Sequence, residues 1–188
     1  MSLSKPVIGV LALQGCVDRH GPHIEAAGGV FKTVKTAAQF DEVDAFILPG
    51  GESTTMLKLI DNFGLWKSLE RNFRAKPVWG ICAGSILLAE KVENPAQKSF
   101  GILPITVQRN GYGRQLDSYK TEIEGCEVSF IRAPVFTDIA ANVEVLAKNE
   151  TGPVWIRHGR NMASAFHPEL SFDTPSPMHR LFIESLRA

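Results

Sequence analysis

The sequence predicts an α/β fold: a mainly parallel central sheet with helices on both faces and an antiparallel edge. Three observations carry that prediction. The first apolar runs are short and nearly continuous, as in strands buried on both faces, instead of alternating with polar residues. Up to about residue 90 they are mostly separated by helix-length segments, with short connections between them. After Phe100 no long helix intervenes between successive runs, so hairpins and antiparallel pairing are expected there.

Residues 7–13, Val-Ile-Gly-Val-Leu-Ala-Leu, form the first strand. A helix over 18–27 follows and is closed by Gly28-Gly29. Residues 30–34 and 45–48 are the second and third strands, the latter stopped by Pro49-Gly50-Gly51. Ser53-Thr54-Thr55 supplies capping hydroxyls for a helix over 56–62, and a further helix runs over 65–73. A strand at 77–81 and a helix at 83–90 complete the order β-α-β-β-α-α-β-α. Short strands are then expected at 102–109, 118–123, 128–131, 143–146, 154–157 and 162–166. A last helix spans 176–186, opened by Pro175 or Pro177. No repeat, low-complexity stretch or linker interrupts the chain, so residues 1–188 are expected to form one domain.

Composition narrows the function classes. Twenty basic residues balance twenty acidic ones, which leaves no global field for nucleic acid or an anionic membrane. The longest apolar runs fall well short of the roughly 18 residues a membrane helix needs. The start of the chain lacks the parts of a signal peptide. Cys16, Cys82 and Cys126 are odd in number, widely spaced and without a CxxC, which argues against a disulfide framework or a structural zinc site. A cytoplasmic protein with reduced thiols, and with neither nucleic-acid nor membrane partners, is the expectation.

Gly80-Ile81-Cys82-Ala83-Gly84 places a cysteine on a sharp strand-to-helix turn. Such a turn strains the backbone of the nucleophile, and glycines two residues either side avoid clashes. It pushes the sulfur out at the carboxyl end of the sheet and leaves the first helical amides free for a developing oxyanion. The adjacent helix start favours a thiolate. An isolated cysteine would more simply be a small buried residue, but the elbow sets Cys82 apart from Cys16, in a loop, and Cys126, in a turn.

A thiolate nucleophile needs a proton shuttle held by a third group. Of five histidines, His20, His23, His158 and His179 are expected at solvated positions. His167, in Phe166-His167-Pro168-Glu169, ends a strand, and Glu169 can reach back to one ring nitrogen. The spacing is not that of a helical metal motif. Leu48-Pro49-Gly50-Gly51-Glu52-Ser53 lacks the lysine of a phosphate loop and the spacing of a dinucleotide fingerprint. What remains is a tight turn, or a mobile Gly-Gly peptide whose N–H can face a carbonyl oxygen.

The Gly-Gly loop, the cysteine elbow and His167-Pro168-Glu169 occur in an order that resembles the class I, triad-type glutamine amidotransferases. Gly9-Val10-Leu11-Ala12-Leu13-Gln14-Gly15, Arg109-Asn110-Gly111-Tyr112-Gly113-Arg114-Gln115 and Phe130-Ile131-Arg132-Ala133-Pro134 extend the likeness. With Ala165-Phe166-His167-Pro168-Glu169-Leu170 they are similar to segments of the glutaminase subunits of pyridoxal 5′-phosphate synthases, over nearly the whole chain. Ser85 departs from the apolar residue expected after the elbow, and residues 173–177 are unusually rich in proline.

The resemblance implies that Cys82 attacks the side-chain amide of L-glutamine, that His167 moves the proton and that Glu169 orients His167. It implies an oxyanion hole from the amides of Gly51 and Ala83, and a glutamine site at Gly51, Glu52, Ser53, Arg109, Ile131 and Arg132. Arginine suits a substrate carboxylate through paired charge-assisted hydrogen bonds. No metal or cofactor is implied. The implied partner is a pyridoxal 5′-phosphate synthase (lyase) subunit that takes up the ammonia. A free glutaminase wastes glutamine, so low activity is expected until the partner favours the orientation of the Gly50-Gly51 peptide that completes the hole. A cysteine peptidase of the same superfamily, a regulatory subunit without activity and an amidotransferase with another acceptor are the competing readings.

Overall fold

The computed structural model describes residues 4–109 and 118–187. Its elements are β1 (Val7–Leu11), α1 (His20–Ala26), β2 (Val30–Val34), α2 (Ala37–Asp41), β3 (Ala45–Leu48), α3 (Ser53–Asn62), α4 (Trp66–Ala75), β4 (Val78–Ile81) and α5 (Ala83–Leu88). There follow β5 (Ala89–Glu93), β6 (Leu103–Gln108), β7 (Tyr119–Ile123), β8 (Cys126–Phe130), β9 (Val135–Thr137), β10 (Glu144–Asn149), β11 (Gly152–His158), β12 (Asn161–Ser164) and α6 (Pro177–Ser185). One sheet has the strand order β10-β11-β12-β4-β3-β1-β2. From β12 to β2 its pairings are parallel, while β10 and β11 add the antiparallel edge. A smaller sheet joins β5, β6 and β9, and β7 pairs with β8.

The register shows why the central strands are apolar throughout. Phe46 pairs with Val78 and Ile47 with Trp79. Paired residues share a face and successive residues alternate, so Phe46 and Trp79 lie on opposite faces. Phe46 meets Phe40 of α2 and Phe73 of α4, whereas Trp79 meets His179 and Phe182 of α6. Helices therefore cover both faces, and β3 and β4 have no solvent side on which to place a polar residue.

Several elements differ from the sequence reading. β1 ends at Leu11, two residues early. α2 is an addition to the expected elements, although Thr36 and Gln39 carry its capping box: the Thr36 hydroxyl accepts from Gln39 N–H, and the Gln39 side chain accepts from Thr36 N–H. The helix after Cys82 stops at Leu88, because the chain turns at Ala89 into β5 and pairs with β6. Tertiary pairing there overrides the helix propensity of Glu90 and Lys91. Like β5, β9 is a strand the sequence reading did not contain. The cap of α3 is the Glu52 carboxylate, not a hydroxyl of 53–55. Cys126 opens β8 and is buried; the turn lies at Glu124-Gly125, both with positive φ. His20, His23 and His179, expected in solvent, are buried where α1 meets α6, with the His23 and His179 rings stacked at 4.6 Å. Apart from Arg109, the segment ending at Gln115 lies outside the described residues.

Candidate active site

Four parallel strands deliver their following loops to one edge of the sheet: β1 leads to Gln14 and Cys16, β3 to Gly50-Gly51, β4 to Cys82 and β12 to His167. Open parallel sheets gather their functional loops at this carboxyl edge. Cys82, between β4 and α5, has φ 48° and ψ −104°. A side chain in that region costs about 1–3 kcal/mol, sustained by the surroundings. Here the restraints are Cys82 N–H donating to the Ser164 carbonyl at 2.8 Å, and Ser85 Oγ donating to the Cys82 carbonyl at 2.6 Å. The hydroxyl at the unexpected Ser85 thus pins the elbow.

The flanking glycines are required by backbone contact. A Cβ on Gly84 would lie 2.1 Å from the Leu48 carbonyl oxygen, and one on Gly80 would lie 2.6 Å from the Gly84 oxygen. Helix α5 can start this close to β3 only without a side chain. Gly84→Ala is expected to destabilise the fold by about 3 kcal/mol, the upper part of the overpacking range. A urea midpoint unchanged from the parent would contradict the close approach.

His167 is held by its N–H donating to the Ser129 carbonyl at 2.8 Å, and Glu169 follows in a single 3₁₀ turn, Pro168–Leu170. His167 Nδ1 and Glu169 Oε1 are 2.8 Å apart and both side chains are buried. Burial works against a charged imidazole, but the Cys82 and Glu169 side chains outweigh it and raise His167 to about 10. Burial would push the Glu169 carboxyl up; the hydrogen bond to His167 and the influence of His20 and His167 hold it below the usual range instead. Cys82 Sγ lies 3.8 Å from the Ile131 carbonyl oxygen, to which a thiol would donate.

Cys82 lines an open cleft. Gly51, Glu52, Ser53, Cys82, Ala83, Arg109, Ile131 and Arg132 line it, so every residue expected to touch substrate is brought together there. His167 packs behind it against Gly50, where a Cβ would lie 2.2 Å from the ring carbon Cε1. Glu52 accepts from Thr54 Oγ1 at 3.0 Å and pairs with Arg109 Nη2 at 3.5 Å. Ser53 Oγ donates to Gln97 Oε1 at 3.0 Å.

Sequence reasoning missed three contributors: Ile86 in the cleft wall, Gln97 behind Ser53, and Gln14, whose Oε1 accepts from Glu52 N–H at 2.8 Å. Gln14 stood within a family-like segment, but a loop amide has no periodicity to betray its role. The Gly50 carbonyl accepts from Cys16 N–H at 2.9 Å. In a trans peptide the next N–H points the opposite way, so the Gly51 N–H lies on the edge facing away from Cys16. Among the described residues no group of three or more His, Cys, Asp or Glu side chains is placed to hold a metal ion. No helix among them is long and apolar enough to cross a membrane.

Comparisons with known proteins give the family. The family model of the SNO glutamine amidotransferase family matches residues 10–188. A protein of Koribacter versatilis (strain Ellin345), named pyridoxal 5′-phosphate synthase subunit PdxT, is 44% identical over 186 residues, spanning 96% of this chain and 95% of that protein. One of the same name from Thermotoga petrophila is 42% identical over 188 residues, spanning 96% of this chain and 99% of its own. A crystal structure of a glutamine amidotransferase matches with a TM-score of 0.85 at 39% identity, covering 96% of this chain and 99% of the other. By sequence and by fold, then, the chain belongs to the SNO glutamine amidotransferase family.

Proposed function

We propose that this chain, acting as one domain over residues 1–188, hydrolyses L-glutamine to L-glutamate and ammonia in the cytoplasm. It hands the ammonia to the synthase (lyase) subunit of a pyridoxal 5′-phosphate synthase. The observation that carries this reading is the arrangement of one open cleft lined by Cys82, Arg109 and Arg132 with the His167–Glu169 pair behind it. The names of the relatives from Koribacter versatilis and Thermotoga petrophila support the acceptor.

The chemistry follows from the residues. Cys82 Sγ adds to the side-chain amide carbon, and the oxyanion is taken up by the amides of Gly51 and Ala83. Arg109 and Arg132 take the substrate carboxylate. Protonated His167 gives its proton to the departing nitrogen, the C–N bond breaks and ammonia leaves a γ-glutamyl thioester. The ring, now neutral, removes a proton from water as its oxygen attacks the thioester. The sulfur leaves with its electron pair, and glutamate is released. Glu169 keeps Nδ1 protonated so that Nε2 faces the reaction in both halves. Ammonia is mostly protonated near neutral pH and then has no lone pair to donate, which favours shielded transfer to a partner.

Ammonia release from glutamine, measured with and without the synthase subunit, tests the whole reading. The isolated chain is expected to be slow and the complex about 100-fold faster, the worth of one oxyanion donor. Gly51→Val should block the increase, because its Cβ would lie 2.5 Å from Gln14 Oε1 and 3.0 Å from Gly15 Cα. Equal rates in the two conditions would contradict control through this peptide.

A further inference from the structure

A second buried polar chain lies behind Glu169, and no step above uses it. Where α1 meets α6, the side chains of His20, His23, Ser176 and His179 come together almost wholly out of solvent. His20 Nδ1 is 2.9 Å from His179 Nε2, and His179 Nδ1 is 2.7 Å from Ser176 Oγ. The Ser176 N–H donates to His23 Nδ1 at 3.0 Å. Burial pushes His20 down to about 4, His179 well below its ordinary value and His23 lower as well. The rings of His20 and His179 are therefore neutral at pH 7, each with one N–H and one bare nitrogen.

Two buried atoms at the head of this chain have no hydrogen-bond partner: His20 Nε2 and Glu169 Oε2. His20 and Glu169 also act electrostatically on one another. A proton on His179 Nδ1 would leave its Nε2 bare, and His20 would then have to donate from Nδ1. Its own Nε2 would be bare too, giving two orphaned acceptors, one of them on a carboxylate. The opposite assignment has no such conflict. The Ser176 hydroxyl donates to His179 Nδ1, His179 Nε2–H donates to His20 Nδ1, and His20 keeps its proton on Nε2, a donor matched to the waiting carboxylate oxygen.

We infer that His20 is a positioning residue for Glu169, its Nε2–H being a further donor to the carboxylate, through one bridging water. With Oε2 held in this way, Oε1 stays on His167 Nδ1. Other groups face Glu169 as well. His167 approaches from the end of β12, and His23 reaches the Glu169 backbone from α1. Cys16 approaches from the loop after β1, and its thiol is a further hydrogen-bonding neighbour of the Glu169 side chain; burial, then the Glu169 charge, push it up to about 11, with Arg19 and Asp18 beside it. His23 has its Nδ1 committed to Ser176, so His20 is the imidazole with an uncommitted N–H.

The kinetic arm of the test rests on the glutaminase reading; the spectroscopic arm does not. Nitrogen-15 NMR of the folded chain at pH 7 should show His20 as the neutral Nε2–H tautomer, still neutral near pH 5. A proton on Nδ1, or a charged ring at pH 7, would overturn the inference. In kinetics, His20→Phe keeps bulk without a donor. Losing a donor raises a carboxylate pKa, so the acid limb of kcat/KM should move up by about one pH unit. At pH 7 kcat should fall about tenfold, the order of one lost charge-assisted hydrogen bond, with KM for glutamine within about twofold. His20→Gln, which offers an N–H near the Nε2 position, should return the acid limb to its original place. With the synthase subunit present, a folded His20→Phe protein with an unmoved acid limb refutes the role, while absence of glutaminase activity in the parent complex refutes the function and leaves the NMR result to decide the donor.

Discussion

Cys82→Ala is expected to abolish ammonia release from glutamine, a loss of at least about 10⁴-fold, while leaving the fold intact. The substitution removes only Sγ, from a residue whose unusual backbone angles are imposed by Ser164, Ser85 and the glycine contacts, all of which remain. No other thiol can take over. Cys126 is buried in β8, with Sγ 3.1 Å from Ser171 Oγ, and burial raises its pKa. Cys16 is pushed up to about 11, so at neutral pH it is a thiol and a poor nucleophile. An electrophilic glutamine analogue should label Cys82 alone, and Cys126→Ala should leave turnover within about twofold. Turnover near the parent rate in Cys82→Ala, with an unchanged thermal midpoint, would remove the nucleophile from the mechanism.

His167→Asn is expected to cost about 10³-fold or more in kcat, and Glu169→Gln at least about tenfold less than that. The imidazole has to give a proton to departing ammonia and then take one from water, and asparagine can do neither. Glu169→Gln removes the charge that supports the imidazolium, but the new amide oxygen could still accept from Nδ1. Burial alone would lower the pKa of His167; it stands near 10 because Cys82 and Glu169 outweigh that burial. Glu169→Gln should therefore also lower the pKa of His167, which NMR can follow directly. Equal losses in the two variants would mean that Glu169 does more than orient and support the ring.

The parts of this protein that were legible in the sequence are those whose physical cause is local. β3 and β4 read as strands because both their faces are buried, which leaves no polar position in four consecutive residues. The elbow was readable because a cysteine at φ 48° with backbone close by needs glycines at fixed offsets, and those offsets are a pattern along the chain. His167 and Glu169, two residues apart, were likewise readable as a pair. The family resemblance added Arg109, Ile131 and Arg132, which no local pattern distinguishes from surface arginines and a strand residue.

Other features depend on contacts between residues far apart, and no window of sequence contains them. Helix propensity favoured continuing α5 past Leu88, yet pairing with β6 makes residues 89–93 a strand. The Gly50 carbonyl is turned by an amide at Cys16, and the Gly51–Glu52 bend is held by Gln14, from a different strand end. His20, His23 and His179 looked like surface histidines because an isolated helix gives a polar ring no reason to be buried. Their reason is 159 residues away, where His20 Nδ1 meets His179 Nε2. Burying an imidazole is unfavourable unless its nitrogens find partners, and those partners exist only once α1 and α6 have docked. Sequence by itself therefore determined the fold class and picked out the proposed nucleophile and shuttle; the tertiary structure decided what surrounds Glu169, because that depends on which distant polar atoms share one dry space.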